Sequence, residues 1–402
     1  MRDDGGMSIS RLFVLLGAGA SRGAVSNGAY EPPLTSELFA ERFNGILLRY
    51  PAVDTAAAEI RRATARGGVA LEKHLAEKYA APDGHAHALH TGRALPLYLQ
   101  EVLTEASCCA WEPRNYDLLW RPILEHVDSV TFITLNYDTI LDGRLAAGDA
   151  PLDTLEDYIA SDRRWSLIKL HGSINWGYPI DNGIDDTGSY YAHRPSAGIR
   201  ATGPIEMTRL APWFDDREWQ GHVSGSTPGP KLGAVVARCV GNALREARRP
   251  DYPANRAPLF PALALPLGAN DRFVCPDTHV EHLRDQLDSS KDATLLVIGY
   301  SAIDSSVLDE LRGKRLAACA VVDRNFETAA IVGRRLAEIV AVPDRMMLAF
   351  DGDFADFVAD DSQLTGFLTN PRAAFHESDR ENPDRDEDHA STKGNLVSIY
   401  VH

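Results

Sequence analysis

The feature that most constrains this chain is a series of short apolar runs separated by helical patterns. Runs of this length, almost continuous in apolar residues, are typical of strands buried on both faces of a sheet. Because the strands alternate with helices, the pattern predicts an α/β fold with a doubly wound parallel sheet of about six strands. The predicted strands are RLFVLLG (11–17), SVTFITLN (129–136), SLIKLHG (166–172), ATLLVIG (293–299), LAACAVVD (316–323) and RMMLAF (345–350).

Two stretches have the apolar spacing of amphipathic helices. LTSELFAERFNGILLRY (34–50) predicts one helix, with Thr35 and Ser36 as candidate caps. ETAAIVGRRLAEIV (327–340) predicts another. The run NLVSIYVH (395–402) is short and apolar, which suits an edge strand.

Composition divides the chain into regions of different character. Residues 51–128 show no convincing strand. Residues 177–260 are rich in Gly, Pro, Asp and Trp, with one helical pattern near 233–249. The predicted regions are a Rossmann-like core at 1–50, 129–176 and 261–370, a helical insertion at 51–128, an irregular small lobe at 177–260 and a disordered acidic tail at 376–394.

Charge and cysteine usage narrow the function classes. The net charge of −16 argues against a chain that grips a nucleic-acid backbone by itself, so we expect no direct nucleic-acid partner. The five cysteines include no C-x-x-C pair, so we expect no zinc module and no metal. The polar start MRDDGGMSIS is unlike a signal peptide and no apolar run is long enough to span a membrane, so we expect a cytoplasmic protein.

Small and polar residues follow the predicted strands, whose carboxyl ends meet at one edge of a parallel sheet. GAGAS (17–21) follows the first strand and forms either a plain tight turn or a floor of backbone N–H groups for phosphates. TLNYD (134–138) follows the second. Asn136 and Asp138 suit contact with a water and a sugar hydroxyl, or else an Asx turn.

The later strands end in further motifs of this kind. His171 in KLHGSINW (169–176) suits proton transfer near neutral pH, with a structural histidine as the alternative. GYSAID (299–304) offers a glycine and a hydroxyl. Asp323 and Asn325 suit the ribose of an adenosine, with a capped turn as the alternative. Their coincidence at one edge favours a nucleotide site.

Taken in order, GAG-x-S, T-x-N-x-D, H-G and G-x-S resemble the motifs of the sirtuins. The variants TLNYD, KLHGSINW and GYSAID, with PPLTSELF (32–39) and PALALPLGANDRFVCPDTHVEHL (261–283), are similar to the sirtuin-like NAD-hydrolase domains of bacterial anti-phage defence, over about residues 11–325. The resemblance implies NAD as substrate. It places the pyrophosphate beside Gly17, Ala18, Gly19 and Ser21, the nicotinamide ribose beside Asn136 and Asp138 with His171 as catalytic histidine, the adenosine beside Gly299 and Ser301, and its ribose beside Asp323 or Asn325.

Two departures from the deacylase sirtuins favour NAD hydrolysis. Those enzymes carry a four-cysteine zinc module after the H-G motif, whereas residues 173–298 contain only Cys239 and Cys275. The run RGAVSNGAYEPPLTSEL after the glycine loop also differs from their G-I-P-D-F-R-like run. The resemblance therefore implies an NAD glycohydrolase that releases nicotinamide and ADP-ribose during abortive infection. An NAD-dependent protein deacylase and a non-catalytic NAD or ADP-ribose sensor are the alternatives, and a nuclease lacks any clustered acidic metal motif.

An unregulated NAD hydrolase would kill its host, so we expect control from a partner. We expect too few ordered residues after the fifth strand for a fused sensor domain. The resemblance implies a HerA-type hexameric ATPase or a short Argonaute protein acting in trans, and we expect a homo-oligomer. The helical insertion and the acidic tail are the candidate interfaces.

Overall fold

A computed structural model describes residues 9–25, 31–65, 86–110, 113–148, 151–179, 203–207, 259–264, 273–290, 293–343, 345–359, 361–371 and 395–399. The strands are β1 (Ile9–Leu16), β2 (Val127–Thr134), β3 (Trp165–Lys169), β4 (Gly172–Pro179), β5 (Glu206–Met207), β6 (Leu259–Leu263), β7 (Ala293–Ile298), β8 (Leu316–Asp323), β9 (Met347–Asp351) and β10 (Leu396–Ser398). The helices are α1 (Ala18–Ala24), α2 (Asn44–Leu47), α3 (Pro51–Ala65), α4 (Ala86–Cys109), α5 (Arg114–His126), α6 (Ile140–Gly148), α7 (Asp277–Ser289), α8 (Ser305–Leu311), α9 (Phe326–Ala337), α10 (Phe354–Ala359) and α11 (Asp361–Thr369).

A seven-stranded sheet forms the centre of the fold, in the order β10-β9-β8-β7-β1-β2-β3. The six strands from β9 to β3 are parallel, and β10 pairs antiparallel with β9. Counted along the chain, the six parallel strands have the order 3-2-1-4-5-6, with the topological switch between β1 and β7. The predicted α/β fold with a mostly parallel sheet is confirmed, and NLVSIYVH supplies the predicted edge strand.

Burial explains why the strands could be predicted as apolar runs. All six residues of β7 are buried, as are the last five of β1 and of β2. Helices cover both faces of such a sheet, so neither face needs polar residues. The predicted helix at 327–340 is also confirmed, as α9, and its N-cap Asn325 accepts hydrogen bonds from two backbone N–H groups in the first turn.

The prediction of one amphipathic helix over 34–50 is wrong. Two 3₁₀ turns and the short helix α2 occupy this stretch, and the backbone is extended at Ala40. The Nε of Arg61 on α3 donates to the Phe39 carbonyl, at 2.5 Å, and its side chain also bonds the Asn44 side chain at 2.6 Å. The Phe39 carbonyl is therefore bonded to α3 instead of to the next turn of a helix, and tertiary contacts override the local helical pattern.

A three-stranded antiparallel sheet in the order β5-β4-β6 lies beside the main sheet, and sequence analysis did not predict it. Gly172 opens β4 with φ +87°, and a Cβ there would lie 1.9 Å from the Ala262 carbonyl oxygen. Only glycine fits that approach. Trp176 of β4 packs in the main core, whereas Ile174 packs in a second core with α3 and α4.

The second core joins the helices of residues 51–109 to the small sheet. It contains buried residues of α2, α3 and α4 together with Ile174 of β4 and Leu263 of β6. Gln100 of α4 adds a buried hydrogen bond from Nε2 to the Ile174 carbonyl, at 2.8 Å. The predicted domain boundaries stay a prediction, and the calls at 233–249 and 376–394 lie outside the described residues. Among the described helices, none is both long and apolar enough to cross a membrane.

Candidate active site

The loops after β1, β2, β3 and β7 meet at the carboxyl edge of the main sheet. The Gly19 N–H donates to the Gly299 carbonyl at 3.2 Å, which joins the loops after β1 and β7. The Asn136 side chain joins the loop after β2 to the loop after β1, and His171 after β3 faces Asp304 after β7. The four loops therefore form one cluster at the topological switch, where open α/β sheets bind ligands.

The glycines of GAGAS allow two loops to pack backbone against backbone. A Cβ on Gly17 would lie 2.3 Å from the Gly299 oxygen, and one on Gly19 would lie 2.8 Å from the Gly299 Cα. Gly299 has φ +60°, and a Cβ there would lie 2.4 Å from the Ala20 nitrogen. The Gly17 N–H donates to Ile298 O at 3.0 Å and the Ala20 N–H to Gly17 O at 2.9 Å, so with that of Gly19 three N–H groups of GAGAS already bond within the protein. Close loop packing explains these glycines, and the phosphate floor stays a prediction.

Asn136 is buried, and its side-chain amide ties two loops together. Nδ2 donates to the Gly17 carbonyl at 2.8 Å and to Ser21 Oγ at 2.9 Å. An amide nitrogen carries two hydrogens, so both are used and Oδ1 is the atom left for a ligand. Ser21 is also buried, 3.4 Å from the Tyr116 hydroxyl, while Ala18 is half-buried at the start of α1.

His171 lies between an aromatic ring and a carboxylate. Its ring stacks on Tyr137, with centroids 6.3 Å apart, and its Nε2 lies 3.6 Å from Asp304 Oδ1. The Tyr137 hydroxyl donates to the Ala264 carbonyl at 2.5 Å, and the Ala264 N–H donates to the His171 carbonyl at 2.8 Å. Burial lowers the pKa of His171, and the charge of Asp304 partly opposes this. The imidazole is therefore neutral and able to accept a proton at neutral pH.

Asp138 is buried below the same loop. Its Oδ1 accepts the Ile140 N–H at 3.1 Å, at the start of α6. Burial raises the pKa of Asp138, against the charge of Lys169 and the hydrogen bonds from Ser21 and Ile140, which lower it. The Asx-turn interpretation and a role beside a ligand are both compatible with this contact.

Sequence reasoning missed four residues around this site. Tyr137 and Asp304 lie within motifs that were singled out, but neither was given a role. Lys169 and Asp142 form a buried ion pair, with Nζ 2.9 Å from Oδ2. A lysine inside the apolar run SLIKLHG was the available signal, because a lysine is almost never fully buried unless it is paired.

The remaining predicted residues lie further along the edge. Ser301 is exposed, and its carbonyl accepts from Arg335 at 3.2 Å. Asp323 Oδ1 accepts the Asn325 N–H at 3.1 Å, and burial raises the pKa of Asp323. Asn325 Oδ1 accepts the Glu327 N–H at 2.8 Å, so that oxygen caps α9 and the capped-turn alternative describes it.

No group of three or more His, Cys, Asp or Glu side chains suited to a metal ion occurs within the described part of the chain. No protein-family model matches the sequence, and no curated protein matches it either.

Several solved structures are similar to this one. A triple mutant of a Sir2 homologue in complex with 2′-O-acetyl-ADP-ribose is 11% identical over 90% of this chain and 92% of its own, with a TM-score of 0.37. A Sir2 homologue–NAD complex is 11% identical over 90% of each chain, with a TM-score of 0.34. Sir2 bound to acetylated peptide is 11% identical over 89% and 94%, with a TM-score of 0.31. All three TM-scores are below 0.5, so none of these structures indicates what this chain does.

Proposed function

We propose that this site hydrolyses the nicotinamide–ribose bond of NAD, releasing nicotinamide and ADP-ribose. The observation that carries the proposal is the arrangement of His171 and Asn136. A neutral histidine paired with Asp304 stacks on Tyr137, the direct neighbour of Asn136, whose Oδ1 is left for a ligand. We infer that a proton acceptor and a water-orienting oxygen serve the same site at the edge of the sheet.

The reaction proceeds through displacement at the anomeric carbon. The bond from C1′ to the pyridinium nitrogen breaks, and its electron pair neutralises that nitrogen. The oxygen of a water oriented by Asn136 bonds to C1′, and its proton passes to His171 and then to solvent. Asp304 stabilises the imidazolium that forms, and the Asp138 carboxylate offsets positive charge on the ribose.

Binding at the switch point would supply the positioning that this reaction needs. Gly19 and Gly299 are half-buried, so part of the backbone of both loops remains exposed to a ligand. We assign the pyrophosphate to this surface, with Gly17, Ala18 and Ser21 around it, and the adenosine to the side of Ser301 and Asp323. Holding substrate and water in one geometry can lower a barrier by several kcal/mol.

The test is an assay of the purified protein with NAD, in which nicotinamide and ADP-ribose are measured by mass spectrometry. His171→Ala should lower turnover by about 100-fold or more, the usual contribution of a general base. His282→Ala is the matched control, because His282 is a half-buried histidine on α7 outside the site. The charge of Arg11 acts on its pKa, and Arg11 lies near the start of β1, at the opposite end of the strands. It should turn over NAD like the parent chain.

The same assay separates the alternatives. An acetyl-lysine peptide, added with NAD, should give no deacetylated product, and its deacetylation would favour the deacylase. Binding of NAD without turnover, alone and with the protein encoded next to it, would favour the sensor. Equal turnover by His171→Ala and the parent chain would contradict the site.

We also propose, from the motif resemblance, that this hydrolysis serves anti-phage defence in a homo-oligomer and is controlled in trans. The partner would be a HerA-type ATPase or a short Argonaute. The test is to express the chain with and without the protein encoded next to it and to measure cellular NAD during phage infection. NAD should fall only when both proteins are present and phage is added.

A further inference from the structure

Lys169 is a fully buried cation beside the candidate site. It is the last residue of β3, every residue of which is buried, and its side chain is 1% exposed. Removing an ammonium from water is costly unless other groups replace its hydration. The groups that contact the ammonium therefore indicate the role of this lysine.

The Lys169 ammonium contacts two groups from the segment after β2. It donates to the Asp138 backbone carbonyl and forms an ion pair with Asp142, with Nζ 2.9 Å from Oδ2. The Tyr158 hydroxyl donates to the other Asp142 oxygen at 2.7 Å, and Asn175 Nδ2 donates to that hydroxyl at 3.3 Å. This chain of bonds holds the carboxylate, and thereby the ammonium, in one position.

The bond from Lys169 Nζ to the Asp138 carbonyl joins two segments of the candidate site, one that carries Asn136 and one that carries His171. Asp138 is two residues after Asn136, and Lys169 is two residues before His171. The bond from the ammonium to the Asp138 carbonyl therefore links the loop that orients water to the strand end that carries the proton acceptor.

We infer that Lys169 is a positioning residue of this site: its ammonium fixes the loop of Asn136 and Asp138 against the strand end of His171 and keeps a positive charge beside the Asp138 carboxyl. The catalytic part of this inference rests on the proposed NAD hydrolysis. Lys169 acts through Asp138 and Asn136 and does not touch the substrate.

Burial raises the pKa of the Asp138 carboxyl, and four groups on the elements packed around it act on it as well. Lys169 on β3, the Ser21 hydroxyl on α1 and the Ile140 N–H on α6 lower its pKa, while Asp142 on α6 raises it by less than Lys169 lowers it. Tyr116 on α5 is uncharged, because burial and the charge of Asp138 raise its own pKa. Removing the charges of Lys169 and Asp142 together should therefore raise the pKa of Asp138.

The experiment uses a charge-free pair of substitutions in the full chain. Lys169→Met alone would leave Asp142 buried and unpaired, which is strongly destabilising, so it is combined with Asp142→Asn, which keeps an acceptor for Tyr158. We expect Lys169→Met/Asp142→Asn to fold, to lower kcat for NAD by about tenfold or more with little change in KM, and to move the acid limb of the kcat profile to higher pH. The matched control is Lys314→Met/Asp288→Asn, which removes a surface ion pair before the start of β8 and should leave kcat and the acid limb as in the parent chain.

A folded double variant with the parent's kcat and acid limb would overturn the inference. If the parent chain hydrolyses no NAD, the proposed function fails separately. The inference is then decided on the Asp138 carboxyl itself, by NMR titration of 13C-labelled aspartate with Asp138→Asn to identify the signal. A higher midpoint in the double variant than in the parent chain supports it, and an equal midpoint overturns it.

Discussion

The Nε2 of His171 lies 3.6 Å from the Oδ1 of Asp304, although the two residues follow strands that are not neighbours. In the sheet, β1 and β2 lie between β7 and β3. Neighbouring strands are about 4.8 Å apart, so the two strand ends are separated by about 14 Å. The pair therefore closes across the carboxyl ends of β1 and β2, where the glycine loop and Asn136 lie.

The pair predicts a particular pH dependence for Asp304→Asn. The charge of Asp304 raises the pKa of His171 against the effect of burial, so its removal should lower that pKa further. Since His171 must be unprotonated to accept a proton, the acid limb of kcat/KM should move to lower pH. Its maximum should fall by about tenfold because the imidazolium loses its partner.

A pH–rate profile of the parent chain and Asp304→Asn checks this. The shift is opposite in sign to that of Lys169→Met/Asp142→Asn, so the two variants distinguish the titration of His171 from that of Asp138. An acid limb that stays in place, or moves to higher pH, would count against Asp304 as the partner of His171.

Asn136→Ala should cost stability as well as activity. Its amide makes two buried hydrogen bonds, to Gly17 O and Ser21 Oγ, and the substitution removes one donor from each of these acceptors. We expect the free energy of unfolding to fall by about 1–3 kcal/mol and NAD turnover to be lost. The control is Asn44→Ala, which removes a single solvent-exposed hydrogen bond, from Arg61, outside the four loops of the site; it should cost about 1 kcal/mol or less and leave turnover unchanged. Urea unfolding and the NAD assay measure both effects.

Gly299→Ala should be much more destabilising than Gly313→Ala. Both glycines have positive φ, +60° and +73°, so both substitutions carry backbone strain of about 1–3 kcal/mol. A Cβ at Gly313 meets nothing within 4 Å, whereas one at Gly299 would lie 2.4 Å from the Ala20 nitrogen. The difference between the two unfolding free energies measures the close loop packing. Similar values for both variants would show that the loops after β1 and β7 are not packed as described.

His279 should make stability depend on pH. It is fully buried, its Nε2 lies 2.9 Å from the Leu155 carbonyl, and its ring packs against Tyr158 and Trp176. Burial lowers its pKa from 6.5 to about 4. The unfolded chain therefore binds the proton more readily, and stability should be lost as the pH falls below 6.5 towards 4, by about 3 kcal/mol in all.

Urea unfolding at several pH values checks this sign and size. His279→Gln removes the titrating group and keeps a donor for the Leu155 carbonyl, so its unfolding free energy should depend less steeply on pH than that of the parent chain. His171, whose pKa is also lowered, contributes in the same direction in both proteins and cancels in the comparison. Parallel pH profiles for the two proteins would rule out His279 as the source.

The sequence was informative about the candidate site wherever local chemistry and chain order were enough. Asn136, His171 and Gly299 each follow an apolar run, and parallel strands bring such positions to one edge. The sequence did not indicate which side chains pair with one another in the fold. The pairing of His171 with Asp304 depends on loops from β3 and β7, and nothing in the local pattern of GYSAID distinguishes a pairing carboxylate from a helix cap.

By itself, the sequence determined the six parallel strands, the α/β alternation and the set of residues at the carboxyl edge, because burial on both faces demands continuous apolar runs. Tertiary structure alone decided which atoms of those residues are bonded within the protein and which remain available to a ligand. The contacts of Arg61 break the predicted helix at 34–50, Gly17 and Gly19 pack on Gly299, and Lys169 finds Asp142 inside the fold. Each of these is a contact between segments distant along the chain, and its energy arises only when those segments meet.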